Sequence, residues 1–299
     1  MNLTLSDTQD TCPSSLSQQQ VDLYHEQGYL AFENVLSSDE IEAAREGFSA
    51  LVRKYTFDSK QMEYHPPQTT KDHSGNARFQ SKDSDFMIQF ERGYTPIPGD
   101  YEGMELQVRK FMWFEESMPI FQNICYNHPK ISGILKGILK DDFNLYQSMA
   151  LIKPPHGGVD KPWHQDNAYF SVENLDQVAG IWIALDDAAV ENGCMHVLPG
   201  GHRLGPMRHH HTTDCEIVEG KFDTSKAVAV PVKAGGALFF HGCLPHFTPK
   251  NNSDQRRRAI QYHYRSTSNN IISKEAFNDV FKENDGTPAS CAAAIPKNF

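Results

Sequence analysis

The sequence predicts one α+β domain in which helices come first and a β core follows. Helix caps and apolar residues at helical spacing occur mainly before about residue 140, whereas short β-branched and aromatic segments divided by Gly, Pro and Asn follow about residue 145. No internal repeat is visible in the 299 residues. We expect loosely ordered residues 1–15 and one domain at 16–299, with a helical flank at about 16–140, a β core at about 141–268 and a tail at 269–299.

Two capping boxes predict where the first helices begin. Ser17 is followed three residues later by Gln20, and an apolar stripe comes after it. Ser37 and Glu40 repeat the pattern before a second apolar stripe. Residues 29–36, between the two helices, are apolar and aromatic enough to predict a strand.

The remaining segments are predicted from their periodicity and their breakers. Residues 58–103 are polar, contain several Pro and Gly and lack a clean period, which predicts that they include a long loop near a binding site. Residues 106–139 predict further helix, and the tail predicts one short helix. Six strands are predicted in the β core, at 145–152, 178–185, 194–198, 227–232, 237–241 and 258–264.

Composition and charge exclude several classes of partner. The chain has 28 Lys and Arg against 38 Asp and Glu, a net charge of −10, which argues against a general affinity for nucleic acid or anionic lipid. No run reaches the ~18–20 apolar residues of a membrane span, and the first residues are too polar for a signal peptide. The six cysteines are scattered, which favours reduced thiols. We expect a cytoplasmic monomer or homodimer that acts on a small molecule.

The strongest local signal for chemistry is the pair His164 and Asp166. Side chains two residues apart on an extended segment point the same way and can bind one metal ion. An imidazole and a carboxylate are two thirds of the facial triad of non-haem Fe(II) oxygenases. In a chain with 14 histidines, a His-x-Asp triplet is by itself weak evidence for a metal site.

A third ligand must come from a distant segment, where His241 and His246 compete. If residues 251–252 form the centre of a hairpin, His246 faces Arg257 on the neighbouring strand. A guanidinium opposite the third ligand suits a dicarboxylate co-substrate, one end on the metal and the other on the arginine. This pairing favours His246.

The sequence resembles the phytanoyl-CoA dioxygenase family of Fe(II)- and 2-oxoglutarate-dependent oxygenases. The resemblance extends from about residue 17 to 264 and is tightest in residues 161–170, which contain the first motif, and in residues 191–202. A third block combines His246, Thr248 and Arg257. The resemblance implies a mainly β fold, a double-stranded β-helix or cupin-like jelly roll with flanking helices.

The resemblance also implies roles for individual residues and three reactants: Fe(II), 2-oxoglutarate and dioxygen. The implied iron ligands are His164, Asp166 and His246, and the implied anchor of the distal 2-oxoglutarate carboxylate is Arg257. Further co-substrate contacts are implied at Thr248, Trp182, Met149 and Lys110.

Asp166 bears on the type of reaction, because related halogenases replace this carboxylate with a small residue. Its presence favours hydroxylation or another oxidation at a C–H bond, with release of succinate and CO2. We expect a small organic substrate. The alternatives are 2-hydroxylation of a fatty acyl-CoA, a metal-dependent cupin that does not use 2-oxoglutarate, and a non-catalytic binding protein.

Several other histidines and arginines are predicted to lie outside the site. The three histidines at 209–211 predict a solvated loop, because adjacent residues on a flexible segment cannot converge on one ion. Arg256 and Arg258 flank Arg257 and should point to the opposite face of a regular strand.

Overall fold

The computed structural model describes residues 4–67, 75–211 and 214–296. The helices are α1 Gln18–Gln27, α2 Ser38–Tyr55, α3 Tyr101–Gln107, α4 Pro119–Gln122, α5 Pro129–Leu139 and α6 Lys274–Val280. The strands before the predicted β core are β1 Thr4–Leu5, β2 Tyr29–Phe32, β3 Met62–His65, β4 Asn76–Ser81, β5 Met87–Arg92 and β6 Val108–Met112. The later strands are β7 Phe143–Lys153, β8 Lys161–His164, β9 Val178–Ala184, β10 Met195–Val197, β11 His209–His211, β12 Cys215–Ile217, β13 Val228–Val230, β14 Ala237–His241, β15 His246–Thr248, β16 Arg257–Ser266 and β17 Ile295–Pro296.

Two facing sheets form the predicted jelly roll. The major sheet has the strand order β2-β14-β9-β16-β7-β6-β5-β4-β3, and the minor sheet has the order β1-β13-β10-β15-β8. All neighbours in both sheets are antiparallel except β1 and β13. A smaller sheet joins β12, β11 and β17.

The major sheet separates two apolar cores. Ile181 and Ile183 of β9 belong to a core shared with α2 and α5, whereas the alternate residues Trp182 and Ala184 face the minor sheet. Phe48 of α2 packs against the ring of Phe111 at 4.8 Å, which fixes the helix on the outer face. The inner face of the major sheet is therefore the one that can line a site between the sheets.

The capping boxes and the six predicted core strands are confirmed, with ends that move by a few residues. The expectation of further helix over 106–139 is wrong, because β6 interrupts it, and residues 58–103, expected to include a long loop, also contain β3, β4 and β5. These strands are short and contribute few buried apolar side chains, as β4 shows with Ala77 and Phe79, so the local signal for them is weak.

The N-terminal segment pairs with both sheets. Thr4 and Leu5 pair with β13 in parallel, and Gln9 forms a bridge with Phe32. Cys12 is buried in the outer core. These pairings supply the described residues 4–15 with backbone partners that the local sequence does not indicate.

No helix among the described residues is both long enough and apolar enough to cross a membrane.

Candidate functional site

Three predicted ligands meet where β8 and β15 lie side by side. His164 ends β8, and Asp166 begins the short 3-10 turn that follows. His246 begins β15 and is paired directly opposite His164. Ligand atoms of the three residues lie within 4.8 Å of one another, and all three side chains are buried. The fold therefore brings together two side chains from one segment and one from a remote strand.

Backbone carbonyls orient both imidazoles. His164 Nδ1 donates to the carbonyl of Pro162 at 2.7 Å, and His246 Nδ1 donates to the carbonyl of Leu244 at 2.9 Å. Each ring therefore keeps the lone pair of Nε2 for a ligand. These Nε2 atoms lie 3.2 Å and 3.5 Å from the carboxylate oxygens of Asp166, for His164 and His246 respectively.

The ionisation states suit metal binding. Burial, reinforced by the neighbouring His164, lowers the pKa of His246 to about 3, so its imidazole is neutral at pH 7. Burial opposes ionisation of Asp166, but the surrounding imidazoles, first that of His246, hold the pKa of this carboxyl well below its usual range. Neutral imidazole and ionised carboxylate are the forms that coordinate a metal ion.

The competing ligand, His241, points elsewhere. Its Nε2 lies 3.3 Å from a carboxylate oxygen of Asp176, and its Nδ1 accepts from the backbone N–H of Cys243 at 3.0 Å. It does not belong to the ligand group formed by the described residues.

Two residues of β16 that sequence reasoning missed bind Asp166 directly. His263 Nε2 donates to Asp166 Oδ2 at 2.7 Å, and the amide of Gln261 donates to the same oxygen at 3.1 Å. His263 is fully buried but lies outside the ligand group, so it positions the carboxylate. The signal was available: counting in twos from Arg257 along a strand reaches both Gln261 and His263.

The predicted hairpin between His246 and Arg257 is wrong. β15 pairs with β8 and β10 in the minor sheet, whereas β16 pairs with β7 and β9 in the major sheet, where Arg257 is opposite Lys153. The intervening residues cross between the sheets. Asn251 stabilises this crossing by donating to the carbonyls of Pro154 and Gln255 at 3.0 Å and 2.7 Å.

Arg257 nevertheless lies on the inner face with unused donors. It is 0% exposed, and its guanidinium carbon lies 5.2 Å from the ring centre of Trp182. One Nη1–H donates to the carbonyl of Leu151 at 3.2 Å, while Nε and Nη2 are buried without a partner. Burial lowers the pKa of Arg257 to about 10, which leaves it cationic at pH 7. A buried cation with two free donors fits the carboxylate of a ligand.

The other predicted co-substrate contacts also line the inner face. Thr248 is buried two residues beyond His246 on β15. Met149 is paired with Gln261, which is paired with Trp182, so these three side chains share one row. Lys110 occupies the next row, opposite Leu151, and burial together with Lys161 and Arg109 lowers its pKa to about 8.

Lys153 is a further basic residue that sequence reasoning missed. It is buried opposite Arg257, and its ammonium donates to the carbonyls of Val159 and Thr248 at 3.1 Å each. Burial, and then the charge of Arg257, lowers the pKa of Lys153 to about 6. An anion bound beside Arg257 would favour the charged form of Lys153, so this end of the site is suited to an anion.

For the residues predicted to lie outside the site, one prediction is confirmed and one is corrected. Arg256 and Arg258 point away from the site and pair with Glu105 at 3.0 Å and Asp186 at 2.7 Å, as strand alternation predicted. The expected solvated loop at 209–211 is wrong: these residues form β11, and His209 is buried. Pairing with β12 and β17 supplies the order that the local sequence does not predict.

Comparison with known proteins shows the family to which the chain is similar. The sequence model of the family described as phytanoyl-CoA dioxygenase (PhyH) matches residues 24–259. A phytanoyl-CoA dioxygenase domain-containing protein 1 from Danio rerio is 28% identical over 277 residues, which cover 87% of this chain and 94% of the relative.

Two solved structures show the same fold. The non-haem α-ketoglutarate-dependent carbocyclase SnoK from nogalamycin biosynthesis is 24% identical with a TM-score of 0.61, covering 88% of this chain and 89% of its own. EctD from S. alaskensis with bound Fe is 16% identical with a TM-score of 0.60, covering 91% and 83%.

Proposed function

Because the chain belongs to the phytanoyl-CoA dioxygenase (PhyH) family of Fe(II)- and 2-oxoglutarate-dependent oxygenases, we propose that it oxidises a C–H bond of a small organic substrate, with release of succinate and CO2. The observation that carries the proposal is a buried His-Asp-His group whose carboxylate is held by β16, the strand that also carries a buried arginine with two unpartnered donors.

In this proposal His164, Asp166 and His246 hold the iron. Two imidazoles and one carboxylate are a donor set that suits Fe(II), and they would leave coordination positions for co-substrate and dioxygen. When bound, iron with 2-oxoglutarate supplies the oxidising power of the reaction. The protein contributes ligand orientation through the carbonyls of Pro162 and Leu244.

Arg257 binds the distal carboxylate of 2-oxoglutarate in this proposal. A carboxylate can accept from the planar fork of a guanidinium through two parallel hydrogen bonds, and Nε and Nη2 of Arg257 are the buried atoms that lack an acceptor. Trp182 lies against the guanidinium, and its indole N–H is likewise buried without a partner. A single dicarboxylate would provide the missing charge.

The remaining assignments rest on position. Thr248 shares a strand with His246 and lies near the Arg257 end, where its carbonyl accepts from Lys153. Met149 and Lys110 lie on adjacent rows of the inner face and stay predicted co-substrate contacts. A cytoplasmic location, a monomeric or homodimeric state and the lack of a membrane or nucleic-acid partner also stay predictions from the sequence.

The test is anaerobic titration of the full-length protein with Fe(II) and then 2-oxoglutarate, followed by a substrate screen for succinate release. We expect His246→Ala to lose iron binding and His241→Ala to retain it, because His241 lies outside the ligand group. Both substitutions remove one imidazole, so each serves as the control for the other. Iron binding that survives in His246→Ala and disappears in His241→Ala would contradict the proposed ligand set.

A further inference from the structure

The four strands before β7 extend the major sheet and have two different faces. Toward α2 the sheet presents apolar residues of the outer core, among them Phe79, Ile88 and Phe111. The alternate side chains on the opposite face are only partly buried. They are Arg78, Gln80, Met87, Gln89, Lys110 and Met112. This partly exposed face, which we term the platform, continues the inner face that carries Trp182 and Gln261.

The register arranges the platform in two cross-strand rows. In the methionine row, Met87 is paired with Met112 and Met112 with Met149, which is paired in turn with Gln261. The amide of Gln261 donates to Asp166, so this row ends at the proposed metal ligands. Neighbouring side chains in a row are on the same face and in contact range.

The second row is polar. Arg78 is paired with Gln89, Gln89 with Lys110, and Lys110 with Leu151. The structure gives the side chains of Arg78, Gln89 and Lys110 no hydrogen bond or ion pair, and none of them is among the described residues with further unprinted interactions. This polar row therefore offers free donors beside an apolar one.

Positive charge accumulates along the polar row. A bulge in β6 leaves Arg109 without a partner in β5, next to Lys110. Arg109 and Lys161 share the carboxylate of Asp214, at 3.2 Å and 3.0 Å. Burial and these two neighbouring cations depress the pKa of Lys110, as expected when cations outnumber carboxylates. In a chain with net charge −10, this local excess of cations selects for an anion.

We propose that the platform is the substrate-binding surface of the oxygenase, that its ligand is an organic anion with an apolar portion, and that Arg78 with Gln89 binds the anionic group while the methionine row holds the apolar portion. This inference rests on the proposed function, because the methionine row directs the ligand to the iron site. Methionine side chains adapt to apolar ligands of varied shape, and arginine binds carboxylate or phosphate bidentately.

The sheet also sets the size of the ligand. Adjacent strands lie ~4.8 Å apart, so the three strand spacings from β4 to β7 place the backbone of Arg78 ~14 Å from that of Leu151 in the same row, and farther from that of Met149. A ligand that reaches both Arg78 and the iron site must therefore be extended. Small anions such as acetate cannot bridge this distance.

The probes are decanoate and decyl phosphate, which combine an anionic group with a ten-carbon chain, and 1-decanol as their uncharged counterpart. Calorimetry on the full-length protein, loaded anaerobically with Fe(II) and 2-oxoglutarate, measures each affinity. We expect Arg78→Gln to weaken binding of the preferred anion at least about tenfold and to leave 1-decanol unaffected, because one charge-assisted contact is lost. Arg53→Gln, on the exposed side of α2, is the matched control and should change nothing.

Methyl NMR of the methionines locates the bound probe in protein loaded with Zn(II) instead of Fe(II). We expect the methyl signals of Met87, Met112 and Met149 to shift, while those of Met62 and Met104, buried in the outer core, stay in place. The stronger of the two anionic probes identifies whether the platform prefers carboxylate or phosphate.

Three results would overturn the inference: no binding of either anion, equal affinity in Arg78→Gln and the wild type, or shifts confined to methionines outside the row. Separate titrations with Fe(II) and 2-oxoglutarate distinguish this failure from failure of the proposed function. Protein that binds both but no probe refutes only the platform. Protein that binds probe along the methionine row but neither iron nor 2-oxoglutarate refutes the proposed function.

Discussion

At the scale of single residues, Arg257 is the most informative side chain. A guanidinium that is 0% exposed would normally have its donors satisfied, yet two of its nitrogen atoms have no acceptor. Such an arrangement costs stability unless a ligand completes it. The two free donors are therefore structural evidence for a carboxylate ligand. The sequence pattern alone does not provide this evidence.

We predict that Arg257→Lys weakens 2-oxoglutarate binding by at least about tenfold, because an ammonium cannot reproduce two parallel hydrogen bonds. Calorimetric titration of the iron-loaded protein measures the dissociation constant. The control is Arg258→Lys, since Arg258 points to Asp186 on the other face of β16. Equal affinities in the wild type and Arg257→Lys would refute the assignment.

His263 is the second residue whose role is visible only in the structure. Its Nε2 must carry the proton, because the Asp166 carboxylate at 2.7 Å can only accept. Its Nδ1 is buried without a partner. The hydrogen bond of His263 to Asp166 therefore fixes the orientation of a proposed metal ligand.

Replacing His263 with Phe should lower Fe(II) affinity about 10- to 100-fold, the usual effect of removing a residue that orients a metal ligand. His263→Gln can still donate to Asp166 and should recover part of the affinity. Equilibrium binding of Fe(II) is the measurement, and thermal unfolding of the metal-free variants checks that both are folded. If Phe and Gln reduce the affinity equally, the hydrogen bond is not the cause.

At the scale of elements, β11 connects the C-terminal region to the segment that contains His164 and Asp166. His209 Nδ1 donates to the carbonyl of Ala289 at 3.0 Å, and its Nε2 accepts from the backbone N–H of Gln165 at 3.4 Å. Gln165 lies between His164 and Asp166 in sequence and is fully buried. The neutral ring satisfies both contacts, whereas a protonated ring would lose its acceptor.

Burial lowers the pKa of His209 to about 4, against the ordinary value of 6.5. Its neutral form therefore contributes stability that is fully present above about pH 6.5 and is lost as the pH falls toward 4. We predict that His209 lowers the free energy of unfolding by about 2 kcal/mol when the pH falls from 7 to 5. One pH unit corresponds to about 1.4 kcal/mol for a group whose pKa differs between the folded and unfolded states.

Urea unfolding at both pH values, compared between the wild type and His209→Gln, isolates this contribution from other titrating groups. The variant should lose less of its free energy of unfolding on acidification. Identical losses in the two proteins would show that His209 does not carry the effect.

At the scale of the whole molecule, the major sheet serves two purposes. Its outer face packs against α2 and α5 in one apolar core, and its inner face joins the minor sheet around the site. The inner region contains buried cations and imidazoles that a purely structural core would avoid. Ligands that bind this region in the folded state should therefore stabilise the entire fold.

We predict that Fe(II) and 2-oxoglutarate together raise the free energy of unfolding, by about 3 kcal/mol when 2-oxoglutarate is present at ~100 times its dissociation constant. Anaerobic denaturant unfolding with and without the two ligands measures the difference, and a chelator should abolish it. Asp166→Ala removes a proposed iron ligand and should show a much smaller increase. An increase that persists undiminished in Asp166→Ala would place the binding site elsewhere.

The sequence by itself determined the two capping boxes, the six core strands and the candidates His164, Asp166, His246 and Arg257. These depend on local spacing and on short motifs, which act over a few residues. Only the tertiary structure decided that β15 and β16 lie in different sheets, that β3 to β6 extend the major sheet, and that His263 and Gln261 hold Asp166. The physical reason is that strand pairing and burial join residues roughly a hundred positions apart, and no local pattern encodes which distant strand satisfies a given backbone or carboxylate.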